Sequence, residues 1–190
     1  MGTQAHYLLF SARELYPTVS LRTPLENLSW VDGTRFSGAM PALRFTIDGA
    51  EPFEWCDYVR PAANIPLFSP LMRTALEQAG VDNIDYYDAI VSHSSSGTSR
   101  SYFAANVLGQ VAAMDRKKSK YVPFDGSDTL VSEIEALVLR DALPGEPGIF
   151  RLSEFDLLIV VDERVKRSVE RSGAHGVVFL KPEEWDGFAT

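Results

Sequence analysis

The chain has 190 residues, of which 45% are hydrophobic and 23% charged, and a core of that size needs no disulfide or metal ion to fold. Its 18 lysine and arginine residues against 26 aspartate and glutamate residues give a formal net charge of −8, which argues against nucleic acid and anionic membranes as main partners. One cysteine, Cys56, excludes an intrachain disulfide and no stretch approaches the roughly 18 apolar residues of a membrane span, so we expect a cytoplasmic protein.

The first third of the chain, residues 1–66, is predicted to be irregular and rich in strands. Residues 7–10 are predicted to form the first strand, and residues 43–47 alternate apolar and polar side chains as a half-buried strand does. Prolines and glycines interrupt the rest of this part, and no helical period occurs in it. We expect its aromatic side chains to fill a core or cover a sheet; they are Trp30, Phe36, Phe53, Trp55 and Tyr58.

Two helices are predicted from their caps and apolar spacing, over residues 70–79 and 163–172. Each begins after a good N-cap residue and ends at a glycine suited to the C′ position. Five equivalent positions share one spacing of 93 residues, which indicates a weak internal repeat packed on one mixed sheet. Helix-capping chemistry alone would give a similar pattern. The pairs are Ser69 and Asp162, Met72 and Val165, Leu76 and Val169, Glu77 and Glu170, and Gly80 and Gly173.

Further strands are predicted at residues 84–91, 102–107, 134–139, 149–152, 157–161 and 177–180. Residues 92–99 are polar, and we predict a flexible loop because no side chain there is expected to anchor it in a core. Together these elements predict an α+β fold, with a mixed or mainly antiparallel sheet, two principal helices and a single domain over residues 1–190.

The sequence predicts no catalytic residue, metal site or cofactor. His6, His93 and His175 are not at one-turn spacing, and neither a Gly-x-Ser-x-Gly nor a phosphate-binding glycine motif occurs. Cys56 stands beside Asp57, whose negative charge disfavours a thiolate, so we expect a buried structural cysteine. The alternative is a hydrolase-like enzyme that uses His93 or His175 in a site assembled from distant residues.

One segment combines acidic residues with tyrosines and is the candidate partner-binding site. Carboxylates steer a basic partner, and tyrosines provide contact area at low entropic cost. Strand alternation would place alternate residues of this segment on opposite faces. The competing interpretation is an ordinary strand with partly buried tyrosines. The candidate residues are Asp82, Asp85, Tyr86, Tyr87 and Asp88.

The order of several phrases in the chain resembles a bacterial immunity-protein family of polymorphic toxin systems, formerly catalogued as a domain of unknown function. These phrases are SYFAANVL at 101–108, GIFRL at 148–152, LIVVDE at 158–163 and GAHGVVF at 173–179. The resemblance covers residues 65–182 and is weaker before Pro66, so we expect a family-like α+β part at 67–182.

That resemblance implies a protein that binds and neutralises a cognate toxin of its own cell or its kin, without being an enzyme. The negative charge would suit a basic toxin, for example a nuclease. A self-associating scaffold module is a third hypothesis for the function.

Overall fold

A computed structural model describes residues 5–12, 18–23, 25, 28–48, 54–61, 63–141, 143, 145, 147–185 and 187, so Phe53 lies outside the described residues. The described part contains two α-helices, thirteen strands and a 3₁₀ turn at Pro182–Glu184. The elements are β1 His6–Ser11, β2 Thr18–Leu21, β3 Leu43–Asp48, β4 Tyr58–Val59, β5 Leu67–Phe68, α1 Pro70–Gln78, β6 Ile84–His93, β7 Ser99–Val107, β8 Gln110–Val111, β9 Lys120–Pro123, β10 Val131–Ala136, β11 Ile149–Leu152, β12 Ile159–Asp162, α2 Glu163–Ser172 and β13 Val177–Leu180.

The strands form two principal sheets and one ribbon. One sheet has the order β2-β3-β6-β7-β5-β4, the other has the order β13-β1-β12-β11-β8, and β9 and β10 pair only with each other among the described strands. Most pairs are antiparallel, while β3 with β6 and β8 with β11 are parallel. The prediction of an α+β fold with mixed pairing and two principal helices is confirmed.

The internal repeat is confirmed as two copies of one topology. In each copy a strand leads through a helix to a parallel strand, and an antiparallel strand lies between the two. The first copy is β4, β5, α1, β6 and β7; the second is β11, β12, α2 and β13, completed by β1 from the start of the chain. The expectation that both copies share one mixed sheet is wrong, because each copy builds its own sheet.

The strand register of the two copies agrees at the spacing predicted from the helices. Strand residues 93 positions apart in the two copies pair with residues at equivalent places on the neighbouring strand. Helix-capping chemistry alone would not produce this agreement in strand register. The pairs Ile84–Val107, Tyr86–Ala105, Leu67–Ala104 and Phe68–Phe103 in the first copy correspond to Val177–Ser11, Phe179–Leu9, Val160–Leu8 and Val161–Tyr7 in the second.

An equivalent cation–aromatic contact lies between the helix and the sheet in both copies. In the first copy the guanidinium of Arg73 lies 4.7 Å from the ring centre of Tyr86 and 4.6 Å from that of Phe103. It also pairs with Glu77 at 2.7 Å. The second copy repeats this arrangement with Lys166 over Tyr7 and Phe179 and paired with Glu170.

The two helices pack against each other at equivalent positions. The buried hydroxyl of Ser168 donates a hydrogen bond to the backbone oxygen of Ala75 at 2.8 Å, and these two residues are 93 positions apart. A core cluster that includes Phe68, Leu76 and Val165 fills the space between the helices and both sheets. The outer face of each sheet carries its own core, with Trp30 on the first sheet and Trp185 on the second.

The polar segment after β6 differs from its prediction. Strand β6 ends only at His93 and β7 already begins at Ser99, so a short turn of five residues or fewer separates them. The side chain of His93 is 1% exposed, and its Nδ1 lies 2.9 Å from the hydroxyl of Ser96. The prediction that no side chain anchors this segment is therefore wrong, because the histidine sits in the sheet and fixes the turn.

Gly173 provides a test of the predicted helix end. It closes α2 with φ +74°, in the left-handed region, and a Cβ placed there would meet nothing within 4 Å. Replacing Gly173 with valine is expected to lower the free energy of unfolding by about 1–2 kcal/mol, through backbone conformation alone. Urea denaturation would measure the change, and an unchanged midpoint would contradict the left-handed cap.

Candidate functional site

The predicted tyrosines of β6 lie on opposite faces of their sheet, as strand alternation requires. Tyr86 faces α1 beneath Arg73, and its hydroxyl is buried with no hydrogen-bond partner among the described residues. Burial raises the pKa of Tyr86, so the phenol stays neutral at physiological pH. Tyr87 packs on the other face against Trp30 and Phe36, at ring distances of 5.7 and 5.6 Å.

The predicted aspartates are likewise distributed around this strand. Asp85 pairs with Arg35 at 2.9 Å on the face of Tyr87. Asp82 and Asp88 are exposed. Three of the five candidates, Tyr86, Tyr87 and Asp88, line one pocket together with residues 40–42, whereas Asp82 and Asp85 are not part of its lining. Contact of the five with a partner stays a prediction.

A thiol, an imidazole and a carboxylate lie in a row around His175, one of the two histidines named in the hydrolase-like alternative. Cys56 Sγ is 3.7 Å from Nδ1 of His175, and Nε2 of His175 is 3.3 Å from a carboxylate oxygen of Glu54. This order of groups is that of a cysteine nucleophile with its base and orienting acid. However, Cys56 is only 1% exposed, and a Cβ built on Gly176 would come within 2.2 Å of its sulfur. The turn at Gly176 therefore covers the thiol and closes it to a substrate.

Metal-binding groups are also not concentrated in the described part. Within it, three or more histidine, cysteine, aspartate or glutamate side chains are nowhere placed to share a metal ion.

Exposed apolar side chains gather on the ribbon formed by β9 and β10. Val122, Phe124 and Leu130 are 42%, 51% and 40% exposed, and they are three of the four large exposed hydrophobic residues of the described part. The fourth, Leu71 on α1, is 42% exposed and stands alone. Large exposed apolar groups that lie together mark interaction sites more often than isolated ones do.

The tip of this ribbon and the turn before β12 enclose a groove of about 300 Å³, which we call the tip groove. Apolar side chains and two carboxylates line it, and among the described residues neither a lysine nor an arginine belongs to its lining. The principal lining residues are Phe124, Leu130, Glu154, Phe155, Asp156 and Leu157.

Two arginines from different sheets hold the turn that forms one wall of the tip groove. Arg60, which follows β4, donates to the backbone oxygen of Leu157 at 3.1 Å, and Arg151 on β11 donates to that of Asp156 at 2.8 Å. Arg60 also donates to the side chain of Asn64 at 2.9 Å. Burial lowers the pKa of Arg151 to about 10, so it remains charged at neutral pH. These bonds fix the position of the groove wall in the free protein.

The two carboxylates of the groove differ in their surroundings. Glu154 is buried and accepts a hydrogen bond from the backbone N–H of Met114 at 3.3 Å. Among the described residues the carboxylate of Asp156 has no ion pair, and burial raises its pKa, with Asp32 adding to the rise and Arg151 opposing it. Asp156 is therefore a half-buried carboxylate whose burial is only partly offset by the charge of Arg151.

Sequence reasoning missed both Phe124 and Asp156. Phe124 precedes the turn at 125–128, where a single aromatic carries no periodic signal, and Asp156 lies in a short polar link. Only the folded chain brings these two stretches together.

Comparison with known proteins identifies a protein family that the chain matches. A model of the Immunity protein family (Imm11) matches residues 4–184. The match begins well before the 65–182 covered by the resemblance and includes β1, which completes the second copy. No curated protein matches the chain. In the described part of the chain, neither helix is long and apolar enough to cross a membrane.

Proposed function

The chain belongs to the Immunity protein family (Imm11), and from this membership we propose that it binds a cognate bacterial toxin and neutralises it by stoichiometric contact in the cytoplasm. The family match over residues 4–184 is the observation that carries the proposal. A specific and stable complex of this kind would bury about 1,600 Å² of surface in total. We also propose that residues 1–190 act as one domain, because β1 lies in the sheet of the second copy.

The charge of the chain supports a basic toxin as the partner. A net charge of −8 attracts a positively charged protein at long range and speeds the encounter, an effect that falls as salt rises. We therefore propose a toxin with a positive surface near its active site, as nucleases have. Neutralisation then consists of covering that surface.

The enzymatic alternative has one observation in its favour, the row of Cys56, His175 and Glu54. A cysteine nucleophile must reach its substrate, and here the sulfur is buried beneath Gly176. Binding explains the exposed ribbon without requiring that turn to open, so we favour binding over catalysis.

Co-expression tests the proposal. Cells that express the toxin encoded beside this protein should survive when this protein is also made, and the two proteins should elute together on size-exclusion chromatography. An inactive toxin variant allows the complex to be prepared without selection against expression. Failure of both rescue and complex formation would remove the proposed function.

A further inference from the structure

The tip groove has the shape and chemistry of a site for one long cationic side chain. Its volume of about 300 Å³ is small for a folded element, and its walls combine aromatic and aliphatic side chains with a carboxylate. Lysine and arginine bury an aliphatic stem against apolar surface while their charged ends seek an acceptor. Phe124, Leu130 and Phe155 supply the apolar surface, and Asp156 supplies the acceptor.

We propose that the tip groove is a docking site for a lysine or arginine presented by a basic loop of the toxin, an inference that rests on the proposed function. The stem of the side chain lies between Phe124 and Leu130, and its cation pairs with Asp156. Partners with neutral or acidic loops are rejected because they leave this half-buried carboxylate unpaired.

The charge around the groove selects the same partner. Glu154 and Asp156 line the groove, and no lysine or arginine in the described part of the chain lines it. The turn at its rim adds Asp125 and Asp128, both exposed. Arg116 is the cation that contacts this turn, and it donates to the backbone oxygen of Thr129 and lies 5.3 Å from the ring centre of Tyr121. Arg151 offsets the burial of Asp156 only in part, so a cation brought by a partner would add to its stabilisation.

The fixed wall of the groove favours binding without rearrangement. Arg60 and Arg151 hold the turn of Asp156 and Leu157 through backbone oxygens, so the backbone that carries this carboxylate is fixed in the free protein. Pre-positioned groups lose less conformational freedom on binding, which strengthens the complex. The free energy that burial of Asp156 costs the free protein is recovered when the partner's cation arrives.

Calorimetry with the toxin encoded beside this protein tests the inference. Replacing Phe124 and Leu130 together with serine should weaken binding at least 100-fold, and Asp156→Asn at least 10-fold. Leu71→Ser is the matched control, since Leu71 has the same exposure on a distant helix, and Asp128→Asn is the matched control for charge. Both controls should stay within threefold of the wild type. Because all these side chains are partly or fully exposed, unchanged amide NMR spectra away from each substitution establish that the variants fold.

A second arm separates the groove from the proposed function. A twelve-residue peptide of alternating lysine and leucine, added at millimolar concentration, should shift the amide NMR signals of Phe124, Leu130 and Asp156. These shifts should be lost in Asp156→Asn and absent with a peptide of alternating glutamate and leucine.

Each outcome bears on one of the two claims. If the toxin binds the wild type and the groove variants equally well, the groove inference is overturned while the proposed function stands. If the toxin does not bind the wild type, the proposed function fails, and the peptide titration alone decides the groove. Shifts spread over the whole surface, or none at the groove, would overturn it.

Discussion

Replacing Gly176 with alanine is expected to lower the free energy of unfolding by about 4 kcal/mol, from left-handed backbone strain together with overpacking. Gly176 has φ +73°, and a Cβ there would lie 2.2 Å from the sulfur of Cys56 and 2.3 Å from its Cβ. Both atoms belong to a buried residue whose backbone oxygen also accepts a hydrogen bond from Tyr102 at 2.6 Å. The two sides are also joined by a backbone hydrogen bond from the N–H of Asp57 to the oxygen of His175 at 2.7 Å, and this junction between the two copies resists their separation.

Gly80→Ala is the matched control for backbone strain. Gly80 has φ +80° and open space around a Cβ, so its replacement should cost about 1 kcal/mol. Urea denaturation measures the loss of unfolding free energy in each variant. The loss in Gly176→Ala minus the loss in Gly80→Ala is the part due to the clash. Equal losses in the two variants would show that Cys56 and Gly176 are not in close contact.

Replacing Asp57 with alanine is expected to cost about 3 kcal/mol, because two charge-assisted hydrogen bonds are lost together. One carboxylate oxygen accepts from the hydroxyl of Ser69 at 2.5 Å, and the other accepts from the backbone N–H of His175 at 2.7 Å. Ser69 in turn caps α1 by accepting from the backbone N–H of Met72 at 3.1 Å. Asp57 therefore links the start of α1 to the turn that follows α2.

Asparagine at position 57 separates charge from geometry. Its amide oxygen can still accept one of the two hydrogen bonds, so Asp57→Asn should lose about half as much stability as Asp57→Ala. Thermal and urea unfolding at neutral pH would measure both. A fully stable Asp57→Ala protein would contradict the role of this carboxylate at the junction.

Much of the fold could be predicted because helix caps and apolar spacing act locally. Ser69, Gly80, Asp162 and Gly173 mark both helices within a residue or two, and the alternation of residues 43–47 marks β3. The spacing between the two helices also revealed the repeat, since the same local chemistry recurs 93 residues later.

The short strands and the pairing of sheets could not be predicted in this way. Strands of two residues, such as Tyr58–Val59 and Leu67–Phe68, carry no period and are formed by their neighbours in the sheet. The placement of β1 between β12 and β13 depends on contacts between opposite ends of the chain.

The surface was the least predictable part, because it too depends on contacts between residues that are distant in the sequence. The sequence grouped Tyr86 and Tyr87 in one candidate segment, and only the structure shows that Tyr86 lies under Arg73 while Tyr87 packs on Trp30. The tip groove joins Phe124 to Asp156, which are distant in the sequence. Exposure is a property of the folded molecule, and composition gives only the net charge of the chain itself.

Titration of toxin activity tests stoichiometric neutralisation most directly. A fixed amount of the toxin encoded beside this protein is assayed with increasing amounts of the protein, at concentrations well above the dissociation constant. Activity should fall linearly and reach zero at a fixed whole-number ratio of the two proteins. Loss of activity at a small fraction of that ratio would indicate enzymatic inactivation, and full activity in excess protein would indicate that the toxin is not its partner.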